Sequence, residues 1–241
     1  MTYSNPAAYR RFMGRWSAQL APLFIRFVGV ENGQRILDIG CGTGSLSTAL
    51  LAVGPAVRVV GVDPMLDYVS FTREAVPDHR ADFQTSTAEA MPFPDAAFDA
   101  ALAMLVLQEV VDPLGAIREM TRVTRGGGQV AACQWDFHSG LPMQSIFWHA
   151  AEIFAPDQVA RRRAGDNAIK RAGLQELADL WECAGLREVR TARLEVAMRF
   201  SSFDDYWQPF LAGATPTSRI CGKPQSRNRE PVGAGSSFPD F

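Results

Sequence analysis

Long apolar runs are absent from this 241-residue sequence. A helix that crosses a bilayer needs roughly 18 or more consecutive apolar residues. The longest candidate, 96–111, is interrupted by Asp99, Gln108 and Glu109. Residues 1–11 also lack the apolar segment of a secretory signal peptide. We therefore expect a cytoplasmic protein without a membrane span.

Cysteine is scarce as well, with four residues at positions 41, 133, 183 and 221. No two of them form a Cys-x-x-Cys pair, and none has a histidine at metal-ligand spacing. This distribution argues against a disulfide framework and against a zinc site. We expect free thiols, as in a reducing compartment, and no bound metal ion.

Neither sign of charge is in excess, since 24 Lys and Arg oppose 26 Asp and Glu for a net charge of −2. A protein whose main partner is nucleic acid usually carries a strong basic excess, so we expect no such partner. The basic cluster Arg161-Arg162-Arg163 is interpreted as a solvated surface rather than a phosphate site.

The sequence does contain a short apolar segment that leads directly into a glycine-rich turn. Residues 35–39, Arg-Ile-Leu-Asp-Ile, have the pattern of a buried strand, and Gly40, Gly42 and Gly44 follow at alternate positions. Because glycine has no Cβ, a ligand can approach such a turn closely. Asp38 lies just before it. The combination indicates that a nucleoside-bearing small molecule binds at the carboxyl end of a parallel sheet.

Strand-like and helix-like segments alternate along the chain. This alternation predicts an α/β fold, a doubly wound and mostly parallel sheet with helices on both faces. The predicted strands are 35–39, 57–62, 82–86, 98–107, 129–135 and 186–200. In such sheets ligands bind beyond the carboxyl ends of the strands, at the switch in strand order, so the residues at strand ends are the site candidates.

Proline and glycine predict two helix boundaries. Pro22 interrupts an apolar stripe over 12–27, which predicts a kink or the start of a second helix there. Residues 126–128, three glycines, are predicted to end the helix that Asp112-Pro113 opens.

Asp63 follows the second strand directly, where a carboxylate can accept both hydroxyl protons of a ribose. The alternative is that Asp63 only caps the next helix, with Pro64 at the first helical position. The spacing Gly-x-Gly-x-Gly of the turn differs from the Gly-x-Gly-x-x-Gly that holds a dinucleotide pyrophosphate. After the third strand, residues 86–93 could present a polar side chain and a backbone amide to an adenine edge.

Together these segments resemble the class I S-adenosylmethionine-dependent methyltransferases, most of all the small-molecule branch that includes ubiquinone and menaquinone biosynthesis enzymes. The similar segments are 37–44, 61–63, 88–93, 98–113, 119–128 and the N-terminal 12–17. The resemblance implies S-adenosyl-L-methionine as cofactor and a small molecule as methyl acceptor.

The same resemblance implies a set of cofactor-binding residues. Gly40, Cys41, Gly42 and Gly44 would line the methionine portion, Asp63 would hold the ribose hydroxyls, and Thr87 and Ala88 would face adenine. Leu105, near the end of the fourth predicted strand, would form the floor of the pocket, and Asp38 and Pro64 complete the set. Two positions depart from the family pattern: Thr87 stands where relatives often have Asp or Asn, and Gln108 lies where many have a nearby His.

Methyl transfer from a sulfonium mainly requires alignment of the reactants and exclusion of water. A general base is needed only if the acceptor starts protonated. The candidates are Glu109, Asp136, His138 and His149, each of which could instead be a surface or structural group. His138 is the preferred catalytic candidate, since it lies just past the fifth strand.

We predict one methyltransferase domain over 1–212, with 136–170 as a lid-like insertion, and a disordered tail over 213–241. The final antiparallel strand of the family has no counterpart in the sequence. This leaves open a non-catalytic or degenerate S-adenosylmethionine-binding protein with a lost C-terminus. A nicotinamide-dependent oxidoreductase is the second alternative.

Overall fold

A sheet of five parallel strands lies at the centre of the fold. The computed structural model describes residues 5–137, 141–164 and 172–211. Within these residues the strands are β1 (Arg35–Ile39), β2 (Arg58–Asp63), β3 (Ala81–Thr85), β4 (Phe98–Met104) and β5 (Thr124–Cys133), in the order β3-β2-β1-β4-β5. Every neighbouring pair is parallel. The predicted doubly wound α/β fold is confirmed, and its strand order reverses between β1 and β4.

Helices cover both faces of the sheet, because parallel neighbours need crossover connections. The helices are α1 (Pro6–Tyr9), a π-helical turn (Arg10–Gly14), α2 (Arg15–Val28), α3 (Ser45–Leu51), α4 (Leu66–Ala75), α5 (Pro113–Val123), α6 (Pro142–Phe154), α7 (Pro156–Ala164), α8 (Leu174–Cys183) and α9 (Phe203–Leu211). Helices α2, α3 and α4 pack on one face, and α5 and α8 pack on the other. Leu37 and Leu102 are fully buried, as expected in strands covered on both sides.

An aromatic cluster joins the N-terminal helices to α6 and α9. The rings of Phe147 and Phe210 stack with centroids 4.8 Å apart, and Phe12 meets Phe210 edge-on at 5.1 Å. Residues 141–164, which make up most of the described part of the predicted lid, therefore pack on the N-terminal segment. Its action as a lid and the domain bounds 1–212 stay predictions, and the tail 213–241 lies outside the described residues.

The predicted sixth strand over 186–200 is wrong. All of these residues are described, and none pairs in the sheet. Strand β5 and residues 186–196 both line a cavity of about 1870 Å³. Leu194 and Val196 still pack against the apolar core. The segment thus buries apolar side chains without a backbone ladder, which the sequence pattern alone does not distinguish from a strand. Within the described chain no antiparallel strand joins the sheet.

Two predicted helix boundaries are also wrong. Pro22 lies inside α2, which continues from Arg15 to Val28, and the irregular turn lies earlier, at Arg10–Gly14. Helix α5 ends at Val123, and the three glycines at 126–128 lie within β5. The β4–β5 ladder shifts register between Phe98 and Ala100, opposite this segment, and glycine in a strand often marks such an irregularity or a close backbone approach.

Among the described helices, none has both the length and the apolar character that crossing a membrane requires. The part of the chain that the structure describes also contains no group of three His, Cys, Asp or Glu side chains placed to hold a metal ion.

Candidate active site

The turn after β1 contains three glycines with left-handed backbone, Gly40, Gly42 and Gly44, at φ angles of 65°, 55° and 81°. A Cβ at Gly40 would lie 2.4 Å from Val106, and one at Gly44 would lie 2.8 Å from Val76. Gly40 and Gly44 therefore allow the turn to pack closely. A Cβ at Gly42 would have the Gly40 carbonyl oxygen, 3.6 Å away, as its nearest described neighbour. Gly42 is thus the glycine whose open side a ligand can approach.

Asp63, at the end of β2, is 8 % exposed and connects the turn to the start of α4. One carboxylate oxygen accepts a hydrogen bond from the Met65 amide at 2.9 Å, and the other accepts one from the Gly42 amide at 3.2 Å. Helix α4 begins at Leu66 with Met65 as its N-cap. The predicted cap at Asp63 and first helical position at Pro64 are therefore wrong, and Pro64 is an exposed residue before the helix. Burial raises the pKa of Asp63.

Asp38 is buried beneath the same turn. Its carboxylate accepts a hydrogen bond of 2.6 Å from the Ser47 hydroxyl of α3. Burial raises the pKa of Asp38 from 3.8 to about 7, although the bond from Ser47 opposes the shift. Burial and the nearby carboxylates of Asp38 and Asp63 also raise the pKa of the Cys41 thiol, so this cysteine stays protonated at neutral pH. Cys41 is a buried packing residue of the turn rather than a nucleophile.

Leu105 lies at the carboxyl end of β4 with an unusual backbone φ of 65°. A left-handed leucine costs roughly 1–2 kcal/mol, and its amide donates a hydrogen bond of 2.8 Å to the Cys133 carbonyl. This bend places Leu105 opposite the glycine turn, where the strand order switches. A cavity of about 30 Å³ lies between them, and its lining includes Tyr9, Ser17, Asp38, Gly40, Cys41, Gly42, Met104 and Leu105. The site is therefore in the crevice where α/β sheets bind ligands.

Thr87 and Ala88 follow β3, the neighbour of β2. The Ser86 amide donates a hydrogen bond of 3.2 Å to the Asp63 carbonyl, which holds this segment beside Asp63. Thr87 is exposed and forms an isolated antiparallel bridge with Ala90, whereas Ala88 is buried. The two residues therefore lie in the loop after β3, at the same edge of the sheet as the glycine turn.

Two residues of α5 form hydrogen bonds to the next part of this loop, residues 91–95. Glu119 accepts a hydrogen bond of 2.8 Å from the Met91 amide. Arg122 donates to the Phe93 carbonyl at 2.8 Å and to the carboxylates of Asp95 and Glu119, each at 2.7 Å. The segment around Glu119 and Arg122 was singled out in the sequence, but its role as a clamp on this loop is visible only in the fold.

Sequence reasoning missed the aromatic and polar side chains that approach the turn from α1 and α4. Tyr9 of α1 lines the small cavity. Thr72 of α4 donates a hydrogen bond to the Gly42 carbonyl. Tyr68, one helical turn before Thr72, meets the ring of Tyr9 with centroids 6.1 Å apart. The spacing of Tyr68 and Thr72 on one helical face was the available signal.

The predicted general bases do not converge on the small cavity. His138 lies outside the described residues. Glu109 and His149 are exposed, and His149 bonds to the main chain of its own helix at 2.8 Å. Asp136 pairs with Arg193 at 3.3 Å. None of these three described candidates lines the cavity beside the glycine turn, so the structure supports no base among them.

Comparison with known proteins identifies the class of protein that this fold and site define. A methyltransferase domain family matches residues 37–132. The ubiquinone/menaquinone biosynthesis C-methyltransferase of Xylella fastidiosa is 30% identical over 179 residues, covering 67% of this chain and 69% of that protein. The chain therefore belongs to the class I S-adenosylmethionine-dependent methyltransferases, and the predicted family and cofactor are confirmed.

A second relative is the ubiquinone/menaquinone biosynthesis C-methyltransferase of a Geobacter species, 29% identical over 130 residues. That match covers 52% of this chain and 55% of the relative, so the chain spans about half the length of this protein. An S-adenosylmethionine-dependent methyltransferase from Aquifex aeolicus has the same fold, with a TM-score of 0.55 at 18% identity, covering 78% of this chain and 91% of that one.

The residues at the crevice fit S-adenosylmethionine. Asp63 offers a carboxylate beside the open side of Gly42, and a carboxylate suits a ribose diol because it accepts two hydrogen bonds. Asp38 adds a second acid beneath the turn. The hydroxyl of Tyr68 is buried and has no hydrogen-bond partner among the described residues. Such an orphaned donor is unusual in a folded protein and is expected where a ligand completes the bonding.

Proposed function

We propose that this chain transfers a methyl group from S-adenosylmethionine to a small-molecule acceptor. The observation that carries the proposal is the bond between the Asp63 carboxylate and the Gly42 amide, 3.2 Å long, beside the switch in strand order. This bond holds the Asp63 carboxylate, which can bind ribose hydroxyls, beside the side of Gly42 that a ligand can approach. Family membership supports the reaction type.

Each group of residues has a proposed role in holding the cofactor. Gly42, with Gly40, Cys41 and Gly44 around it, forms the wall for the methionine portion. Asp63, with Pro64 after it, binds the ribose hydroxyls. Thr87 and Ala88 face adenine. Asp38 closes the site beneath the glycine turn, and Leu105 closes it at the end of β4. These assignments agree with the position of every one of these residues at the carboxyl edge of the sheet.

The bound cofactor supplies an electrophilic methyl group on a sulfonium. When that methyl group is transferred, the sulfonium becomes a neutral thioether, which is a good leaving group. The protein's task is to orient the acceptor for in-line displacement and to keep water out. Tyr9 and Ser17 of the N-terminal helices lie over the turn and line the cavity, so they are placed to exclude water. His138 stays our proposed base for an acceptor that must lose a proton.

The relatives' names suggest the acceptor class. They are named for methylation in ubiquinone and menaquinone biosynthesis, and this chain is about 30% identical to them. We therefore propose a reduced quinone or similar small aromatic molecule as the first acceptor class to examine.

Calorimetric titration and a methyl-transfer assay test the proposal. The protein should bind S-adenosylmethionine and S-adenosylhomocysteine but not NAD, and it should label an acceptor from a panel of small aromatic metabolites that includes reduced demethylmenaquinone analogues. Binding without transfer to any acceptor would favour a non-catalytic protein. Binding of NAD alone would refute the cofactor assignment.

A pair of histidine variants tests the base. The His138→Gln variant should lower kcat for an acceptor that must be deprotonated, and the exposed His149→Gln variant is the matched control. An unchanged kcat in H138Q would remove His138 from the mechanism.

A further inference from the structure

Helix α4 presents one face to the glycine turn. Thr72 donates a hydrogen bond to the Gly42 carbonyl, and a Cβ at Gly44 would contact both Thr72 and Val76. Tyr68, Thr72 and Val76 are four residues apart and so share that face. Tyr68 is the member nearest the start of the helix, which follows Asp63 at the carboxyl end of β2.

The side chain of Tyr68 is 5 % exposed, yet it belongs to none of the three apolar clusters of the described chain. Its ring contacts Tyr9 edge-on, with an interplanar angle of 75°. The hydroxyl of Tyr9 is bonded to Ser17. The hydroxyl of Tyr68 has no hydrogen-bond partner among the described residues. An aromatic edge gives this hydroxyl no acceptor, so its burial is unfavourable until one arrives.

The surroundings of Tyr68 indicate which acceptor fits. Burial raises the pKa of Tyr68, and the neighbouring Tyr9 and Asp63 raise it further, so the phenol keeps a proton that it can donate. Asp63 is an acceptor-only group when ionised, and a ribose diol donates both protons to it. The diol oxygens keep lone pairs that can accept a bond from a neighbouring phenol.

We propose that Tyr68 is a cofactor-binding residue whose hydroxyl donates a hydrogen bond to a ribose oxygen of S-adenosylmethionine held beside Asp63. The proposal rests on the cofactor site described under Proposed function. Binding of the cofactor would then satisfy the one phenol that the folded chain leaves without an acceptor in its described part.

The test compares Tyr68→Phe with the wild-type protein by calorimetric titration of S-adenosylhomocysteine and by thermal melting without ligand. Loss of one neutral hydrogen bond should weaken binding by about three- to tenfold. The melting temperature of the unliganded variant should be unchanged or higher, because the substitution removes a buried polar group that has no partner in the fold.

Tyr206→Phe is the matched control. The Tyr206 hydroxyl donates a hydrogen bond of 3.0 Å to the Met143 carbonyl between α9 and α6, and Tyr206 does not line the small cavity beside the glycine turn. This variant should melt at a lower temperature and bind S-adenosylhomocysteine with unchanged affinity. The two phenol-to-phenyl changes therefore separate a role in binding from a role in folding.

Three results would overturn the proposal. Wild-type affinity in Y68F would show that the hydroxyl makes no bond to the cofactor. A fall in melting temperature like that of Y206F would assign Tyr68 a structural role. Methylthioadenosine keeps the ribose and lacks the amino acid, so it should lose affinity by the same factor, and unchanged binding of this analogue would place the bond elsewhere. Failure of the wild-type protein to bind any of these ligands would instead refute the cofactor site itself.

Discussion

One oxygen of the Asp63 carboxylate lies 3.2 Å from the backbone nitrogen of Gly42 and accepts its hydrogen bond. Asp63 ends β2 and Gly42 follows β1, and the carboxyl ends of these adjacent parallel strands meet at one edge of the sheet. The bond fixes the acid beside the open side of the turn.

Asp63→Asn should weaken S-adenosylhomocysteine binding by about 10- to 100-fold, because hydrogen bonds to a charged group contribute roughly 1.5–3 kcal/mol. The asparagine oxygen can replace only one of the two backbone bonds that the carboxylate accepts, so the free energy of unfolding should also fall, by about 1–3 kcal/mol. Calorimetric titration and chemical denaturation measure the two effects. Asp67→Asn, an exposed acid in the first turn of α4, is the control. Equal affinity in D63N and D67N would contradict the assignment.

The free energy of unfolding should fall as the pH rises from about 4 to about 7. Burial raises the pKa of Asp38 from 3.8 to about 7, so the folded state holds a proton that the unfolded state has released in this range. The stabilisation is complete below the unfolded pKa and is lost as the pH rises through the folded pKa, on the order of 4 kcal/mol in total.

Denaturation curves at several pH values test this assignment to Asp38. Asp38→Asn should flatten most of the slope, and the raised pKa of Asp63 should leave a smaller slope of the same sign. Asp82→Asn, an exposed acid on β3, should leave the wild-type dependence intact. A wild-type slope that persists in D38N would refute the assignment.

Alanine at Gly42 and Gly44 should have different effects. Both positions have positive φ, so alanine costs roughly 1–2 kcal/mol of stability at either one. At Gly44 the added Cβ also overlaps Val76 at 2.8 Å, which adds about 1–3 kcal/mol. G44A should therefore be the less stable variant by denaturation, whereas G42A should show the larger loss of cofactor affinity. The reverse order would contradict the view that Gly42 faces the ligand.

Arg122→Ala should loosen the loop at 91–96 and lower stability by about 1–3 kcal/mol, because the guanidinium binds two backbone carbonyls and two carboxylates. Hydrogen exchange should speed up most at this loop, next to Thr87 and Ala88. Arg118→Ala, an exposed arginine on the same helix, is the control. Equal hydrogen-exchange rates at residues 91–96 in the wild-type protein, R122A and R118A would show that Arg122 does not hold the loop.

Much of the fold could be predicted because its signals are local. The apolar strands, the glycine turn and the acid after β2 each lie within a few consecutive residues, and regular alternation places their ends at one edge. The segment 186–200 shows the limit of that reasoning. Its side chains have a strand's apolar pattern, but pairing depends on a neighbour's backbone, and in the fold residues 186–196 and β5 line a cavity of about 1870 Å³ without pairing.

The candidate site likewise contains residues that the sequence could predict and residues that only the fold shows. Gly42 and Asp63 could be named from spacing, because their positions at strand ends follow from the fold class. The approach of Tyr9, Tyr68 and Thr72 could not, since these side chains reach the turn from helices whose packing angles no local pattern determines. The crowding of Gly44 by Val76 is likewise a contact between distant segments.

The sequence by itself determined the five parallel strands and the glycine turn, since hydrophobic periodicity and glycine spacing are encoded in neighbouring residues, and its resemblance to a known family implied the cofactor class. Only the tertiary structure decided which glycine of the turn has an open side, that Asp63 binds the turn rather than capping α4, and that the Tyr68 hydroxyl has no acceptor among the described residues. These outcomes depend on distances between residues far apart in the chain, and such distances are fixed only when the helices pack on the sheet.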